Sequence, residues 1–401
     1  MTTSTALFLT ISILAIFLKS SESKPIEVNS HDKSMELVMV TGLWRHGTRA
    51  PDMDFPYNLY PNDYWKNGLN QLTDYGIQQQ RELGAFIRQR YVKQLKFLPA
   101  ELSTSVIKVE SSTANRTQQS ALHNFRGIFN DDSLTLKAID IEWPKVNEPN
   151  IVGYPYYNAC AYVEKLEKYV SKNEAFNNFM DTNEWFKKLS PTRSILHSFD
   201  FADPLYVEKR QNLSLAQVYE QNWTQIFHAY VQSLRFFYGI DLNDQKVDLH
   251  EKLVQYHAGR VLTALSDMFN SKKRCRSNAN SLMDDSVECE DIDALKFKAF
   301  SLHDTYILGS LFAMGFKNLD YNREDNCEMA SALFWELWED RTTGDYYVRV
   351  IYRRNVDELY DITADIEGCQ WNRQGCPIEY FFDKIKPYLV PDSKEYCSQS
   401  I

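Results

Sequence analysis

The chain has 401 residues, 44% of them hydrophobic, and a formal net charge of −10, so it can bury one large core or two ordinary ones and is not a disordered polymer. That acidic balance repels nucleic acid and anionic membrane surfaces and excludes both as main partners. Any anion-binding site must therefore be a local basic pocket.

In chain order, Ala6 to Leu18 (ALFLTISILAIFL) is an apolar run too short for a comfortable membrane span, followed by the small residues Ser20, Ser21 and Ser23. It reads as the hydrophobic region of a signal peptide over residues 1–23, although no Lys or Arg precedes it. Its removal is expected to leave a soluble protein, secreted or luminal, with no stable membrane insertion. Glu36 to Leu43 (ELVMVTGL) is mostly apolar without alternation, the pattern of a strand covered on both faces. A helix is predicted from about Thr73, a good N-cap, through Tyr91, with Ile77, Leu83, Phe86 and Ile87 facing inward. A strand follows at Ser105 to Glu110, then a loop from Ser111 to Arg116 and a helix from Thr117 to Phe129.

Residues 145–290 change character, rich in Tyr, Trp, Asn and Lys, with helical patterns at Leu215 to Tyr238 and Leu253 to Phe269. They read as a largely helical cap inserted into the chain. Leu295 to Ser301 is again a strand, ending at His303-Asp304 and followed by a helix from Thr305 to about Met314. Ala332 to Trp338 and Tyr346 to Tyr352 flank the turn Thr343-Gly344-Asp345 as a hairpin. The order predicts an α/β fold: a mixed, mostly parallel central sheet flanked by helices, from residues 24–144 and 291–401, with ligands beyond the C-terminal strand ends.

Three of these strands end on charged groups: Arg45-His46-Gly47-Thr48-Arg49-Ala50-Pro51, then Arg116, then His303-Asp304. On one edge of a parallel sheet they would form a pocket of guanidinium forks and imidazoles suited to a tetrahedral oxyanion such as phosphate. The same set supplies what phosphoryl transfer needs without metal or cofactor. His46 can attack phosphorus and form a phosphohistidine. Arg45, Arg49, Arg116 and His303 can hold the equatorial oxygens, and Asp304 can protonate the leaving alcohol and then activate water. A carboxylic acid donor works where it is protonated, which predicts acidic operation.

The segment Arg45 to Pro51 resembles the RHGxRxP signature of the histidine acid phosphatases, the branch-two histidine phosphatases. Gln71 to Gly76, Leu83-Gly84, Arg88 to Tyr91, Ser112-Thr113, Asn115-Arg116-Thr117, Ser120-Ala121 and His303-Asp304-Thr305 extend the likeness over nearly the whole mature chain. The resemblance implies a phosphoglycerate mutase-like core with a helical cap, a secreted or lysosomal location, and hydrolysis of small phosphate monoesters at acidic pH. It gives His46 the role of nucleophile, Arg45, Arg49, Arg116 and His303 that of phosphate ligands, and Asp304 that of proton donor. A homodimer is among the expectations.

Seven cysteines suit an oxidising compartment. Their spacing shows no zinc knuckle, and Cys369 with Cys376 and Cys275 with Cys289 read as local loop closures. The resemblance supports Cys369 with Cys376 and adds Cys160 with Cys397. It also places a cysteine where Val207 stands, so Cys327 is left without its partner. Of three sequons, Asn212 and Asn222 are glycosylation candidates, while a glycan at Asn115 would block the catalytic loop. His31, His123, His197, His228, His250 and His257 read as structural or exposed, and the aromatic residues of the insertion as cap core. Narrower readings are a phytase or a lysophosphatidate phosphatase; a catalytically silent secreted binding glycoprotein is a reading of a different class. A phosphoglycerate mutase fits less well, because Thr48 stands where related mutases carry Glu.

Overall fold

β1 (Met35–Arg45) opens the fold, and its residues from Leu37 onward are buried without interruption, so it must be covered on both faces. The computed structural model describes residues 34–145, 152–153, 160–190, 192–278, 287–370 and 372–401. The expected signal peptide lies outside the described residues, as do parts of the expected insertion.

The remaining strands are β2 (Ile107–Ser111), β3 (Phe297–Leu302), β4 (Ala332–Asp340), β5 (Tyr346–Arg353), β6 (Leu359–Asp361) and β7 (Cys376–Pro377). They form one sheet in the order β2-β3-β1-β4-β5-β6, with β7 pairing β5. β3 lies parallel to both β1 and β2, with Ala299 opposite Gly42 on one side and Val109 on the other. β4 runs antiparallel to β1 and continues into the expected hairpin with β5. The sheet is thus mixed, and its parallel part holds the three strands that end on charged groups.

α1 (Asp74–Ile87) starts where Thr73 Oγ1 accepts the Gly76 amide at 3.1 Å, and a wider π-helical turn carries it on from Arg88 to Gln94. α2 (Asn115–Phe129) begins earlier than expected, and Arg116 sits in its first turn rather than in the preceding loop. The reason is local: Ser112 Oγ accepts the Ala114 amide and Thr117 Oγ1 donates to the Ala114 carbonyl, so three residues suffice to turn the chain.

In the insertion lie α3 (Ala161–Val170), α4 (Glu174–Thr182), α5 (Glu184–Leu189), α6 (Asp203–Arg210), α7 (Gln217–Glu220), α8 (Trp223–Phe237) and α9 (Leu249–Asn278). The pattern expected as one helix from Leu215 to Tyr238 is two, parted at Gln221-Asn222. α10 (Val287–Ala294) leads into β3; α11 (Asp304–Ala313), α12 (Ile378–Ile385) and α13 (Ser393–Ser398) complete the chain.

Each sheet face has its own core. On one, α1 and α2 set Leu83, Ile87, Phe125 and Ile128 against Val40, Trp44 and Phe297. On the other, α9 and α11 set Leu262, Leu265, Leu308 and Leu311 against Leu43, Phe300 and Trp335, and this cluster runs on through Phe176, Tyr206 and Tyr230 of the inserted helices. Most aromatic residues of the insertion, among the described residues, are core, and they share that core with the sheet. Disulfides join Cys160 to Cys397, Cys275 to Cys289 and Cys369 to Cys376. Cys327 is a buried free thiol, and Val207 is buried too.

Candidate active site

The helix after β1 packs on one face of the sheet and the helix after β3 on the other. The chain therefore parts at the C-terminal ends of two neighbouring strands, which opens a crevice there. His46 and His303 face each other across it with ring centroids 5.5 Å apart, and the His46 amide donates to the Leu302 carbonyl at 3.1 Å. Beyond them lies a cavity of about 470 Å³ lined by Arg45, His46, Arg49, Arg116, His303 and Asp304, so all six expected residues come together.

The turn after β1 is held by side chains from α1 and α2. Gly47 donates its amide to Ser120 Oγ at 3.1 Å, Thr48 donates to Gln79 Oε1 at 2.8 Å, and Gln80 Nε2 donates to the Arg45 carbonyl at 2.9 Å. Gly47 is there because a Cβ would lie 2.2 Å from the Gly76 carbonyl oxygen. The close approach lets the first turn of α1 lie directly on the RHG backbone.

Arg45 pairs with Asp304 at 2.8 Å and donates to the Cys327 carbonyl; Arg49 pairs with Asp203 at 2.5 Å; Arg116 donates to Asn70 Oδ1 at 2.8 Å. Each anchor leaves donors over, since the Nε groups of all three arginines are buried without a hydrogen-bond partner among the described residues. Buried, unpartnered N–H groups on three convergent guanidiniums call for an anion to satisfy them.

His46 Nδ1 lies 2.9 Å from the carbonyl of Gly47, which only accepts, so Nδ1 carries the proton and Nε2 keeps its lone pair. Burial, and then the positive charge of Arg116 and its neighbours, drives the His46 pKa far down. The imidazole therefore stays neutral and nucleophilic well into acid. His303 is more engaged than expected of a free donor. Its Nδ1 faces Arg116 Nη2 at 3.4 Å, which assigns the ring proton to Nε2, 2.9 Å from Ser112 Oγ. Burial and Arg116 lower its pKa to about 3.

Asp304 is the first residue of α11, and its Oδ2 also accepts from Asn326 Nδ2 at 2.7 Å. Burial alone would raise its pKa, but Arg45, with Asn326 and His303, outweighs burial and holds it below the usual carboxylate range. That environment favours the ionised carboxyl.

The cavity also gathers Ser112, named in the sequence only as part of the family likeness, and residues that their sequence context did not mark: Asp52, Asn70, His197, Asp200, Asp203 and His257. Two of the histidines expected to be merely structural or exposed thus line the site; His257 is buried, and burial lowers its pKa to about 3. Asp203 had the most visible signal, beside Pro204 in a segment notable for its missing cysteine, but its ion pair with Arg49 spans 154 positions and local pattern cannot show it.

A neutral imidazole held among three guanidiniums at a sheet crevice is an arrangement that can bind a phosphoryl group and attack it. Residues 36–353 match the histidine phosphatase superfamily, branch 2, and the chain belongs to that family. It is similar to prostatic acid phosphatase of Homo sapiens, 26% identical over 378 residues covering 90% of this chain and 88% of the relative. Lysosomal acid phosphatase of Xenopus laevis is 26% identical over 91% of this chain and 79% of its own. Among solved structures, Hafnia alvei phytase in complex with myo-inositol hexakis sulphate has a TM-score of 0.57 at 17% identity, covering 92% of this chain and 100% of the other. Klebsiella sp. ASR1 phytase gives 0.56 at 16%, covering 92% and 98%. At such identities these two likenesses speak for the fold alone.

Proposed function

We propose that the protein is an acid phosphatase that hydrolyses small phosphate monoesters through a phosphohistidine on His46. The observation that carries this reading is the His46 ring, with Nδ1 protonated toward Gly47 and Nε2 free in a cavity where three guanidiniums converge. A dianionic ester fits among Arg45, Arg49 and Arg116, and its charge offsets the arginines that keep Asp304 ionised. Asp304 then takes up a proton from mildly acidic solvent. The Nε2 lone pair attacks phosphorus, the bond to the ester oxygen breaks, and Asp304 gives its proton to the departing alkoxide. In the second step Asp304, again a carboxylate, takes a proton from water as its oxygen attacks phosphorus and the bond to Nε2 breaks. His303, oriented by Ser112, keeps Arg116 directed at the phosphoryl oxygens.

Residues 1–23 would direct the chain into the secretory pathway, and the three disulfides suit that compartment. Asn212 is exposed, as a glycan acceptor must be, whereas the Asn222 amide is half-buried and donates to the Val218 carbonyl at 2.8 Å. The decisive experiment is turnover of an aryl phosphate in mildly acidic buffer, with an alkaline quench to trap the phosphohistidine. His46→Ala should lose both the trapped species and at least about a thousandfold in kcat. Full activity in that variant would sink the reading.

A further inference from the structure

The cavity holding the three guanidiniums carries four carboxyls, with Asp52, Asp200, Asp203 and Asp304 lining it beside Arg45, Arg49 and Arg116, and His197 lies on the same wall. Two carboxylates are committed, Asp304 to Arg45 and Asp203 to Arg49. The other two make no ion pair with an arginine among the described residues. Asp200 meets His197 at 2.9 Å, and Asp52 Oδ1 is buried without a hydrogen-bond partner. Four aromatic rings, Phe199, Phe237, Tyr256 and Tyr306, share the wall with neutral polar groups such as Asn70, Thr113 and Thr305.

Once a phosphate dianion occupies the guanidiniums, the space left for the alcohol is bounded by ring faces and by Asp52 and Asp200. Ring faces and carboxylates both attract cations, and the carboxylates repel a second anion. We propose that this wall selects phosphate monoesters whose leaving alcohol carries a positive charge beyond an apolar or aromatic stretch, and disfavours alcohols bearing further phosphates. The proposal rests on the phosphatase reading and gives that site its substrate class.

Three aryl phosphates differing only at the para substituent isolate the effect: aminoethyl, propyl and carboxyethyl chains are cationic, neutral and anionic at similar size. Burial and the nearby Asp203 push the Asp52 and Asp200 carboxyls up, so near-neutral buffer, which favours their ionised forms, is the condition of choice; there kcat/KM for the cationic ester should exceed that for the propyl ester by about tenfold, or about 1.4 kcal/mol. The carboxyethyl ester should fall below the propyl ester, and inositol hexakisphosphate below all three. Asp200→Asn and, separately, Asp52→Asn should each shrink the ratio of cationic to neutral ester, to about threefold or less. Equal rates for the cationic and propyl esters, or faster turnover of inositol hexakisphosphate, would overturn the proposal while leaving the phosphatase reading intact. Absence of turnover on every ester would instead defeat that reading. In that case calorimetric binding of the same three esters to His46→Ala still decides whether the wall prefers the cation.

Discussion

Asp304 shows how two demands meet on one side chain. As the first residue of α11 it ion-pairs Arg45 at 2.8 Å, and that contact keeps it ionised when the pocket is empty. As the proposed acid it must hold a proton when substrate is bound. Only the substrate's own negative charge resolves the conflict, so the need for acid belongs to the complex rather than to the free enzyme. Asp304→Asn should therefore cost about 10² to 10⁴ in kcat on alkyl phosphates, the usual range for a lost general acid. The loss should be much smaller on nitrophenyl phosphate, whose leaving group needs no proton. A uniform loss on both, measured across a leaving-group series, would make Asp304 merely a partner of Arg45. Arg45, His46, Arg49 and the His303-Asp304 pair were legible because each stands at or just after a strand end within a short motif, and Arg116 because it lies within one at the start of α2. Asp203, Asp200 and His257 were not, since their roles come from α6, the turn before it and α9 folding over a crevice formed by distant strands.

At the scale of elements, the site depends on how closely α1 and α6 approach the turn after β1. A Cβ at Gly76 would lie 2.0 Å from the Thr48 carbonyl oxygen, so Gly76→Ala must push the start of α1 off the RHG backbone. It should cost a few kcal/mol of stability, at the overpacked end of core substitutions, and lower kcat as Arg45 and Arg49 lose alignment. Calorimetry and kinetics on the variant check both; an unchanged Tm would show the turn to be pliable. α6 carries Asp203, the anchor of Arg49, and also Glu208, which is buried with Oε1 unpartnered. Burial, helped by Asp54, raises the Glu208 pKa to about 7. A carboxyl raised in the folded state is neutral there while the unfolded chain ionises, so its contribution is complete below the unfolded pKa and is lost as pH rises toward 7. Glu208→Gln should flatten the fall in Tm between about pH 5 and pH 8, a difference on the order of 2 kcal/mol after allowance for solvent access. An undiminished fall would place the pH dependence elsewhere. Strand and helix existence was readable from periodicity along both elements' neighbours. The early start of α2 was not, because hydroxyl hydrogen bonds set it, and neither was the break between α7 and α8.

The whole molecule is tied together by the core that the inserted helices share with one sheet face. Phe176, Tyr206 and Tyr230 belong to the same cluster as Leu308, Phe300 and Trp335, so no apolar boundary separates the insertion from the sheet. That arrangement predicts one cooperative unfolding transition despite the inserted topology, with calorimetric and van't Hoff enthalpies agreeing. Two resolved transitions would show that the insertion folds on its own. The Cys160–Cys397 disulfide reinforces the coupling by closing a separation of 237 residues between the start of α3 and α13, whereas Cys369–Cys376 closes only 7. On chain-entropy grounds the long loop stabilises by about 5 kcal/mol and the short one by about 2. Replacing Cys160 and Cys397 by serine should thus lower Tm more than replacing Cys369 and Cys376, with kcat well below Tm almost unchanged, since α3 and α13 contribute nothing to the cavity lining. If the order of the two Tm losses is reversed, native-state packing around the short loop, rather than loop closure, governs how this protein is held together.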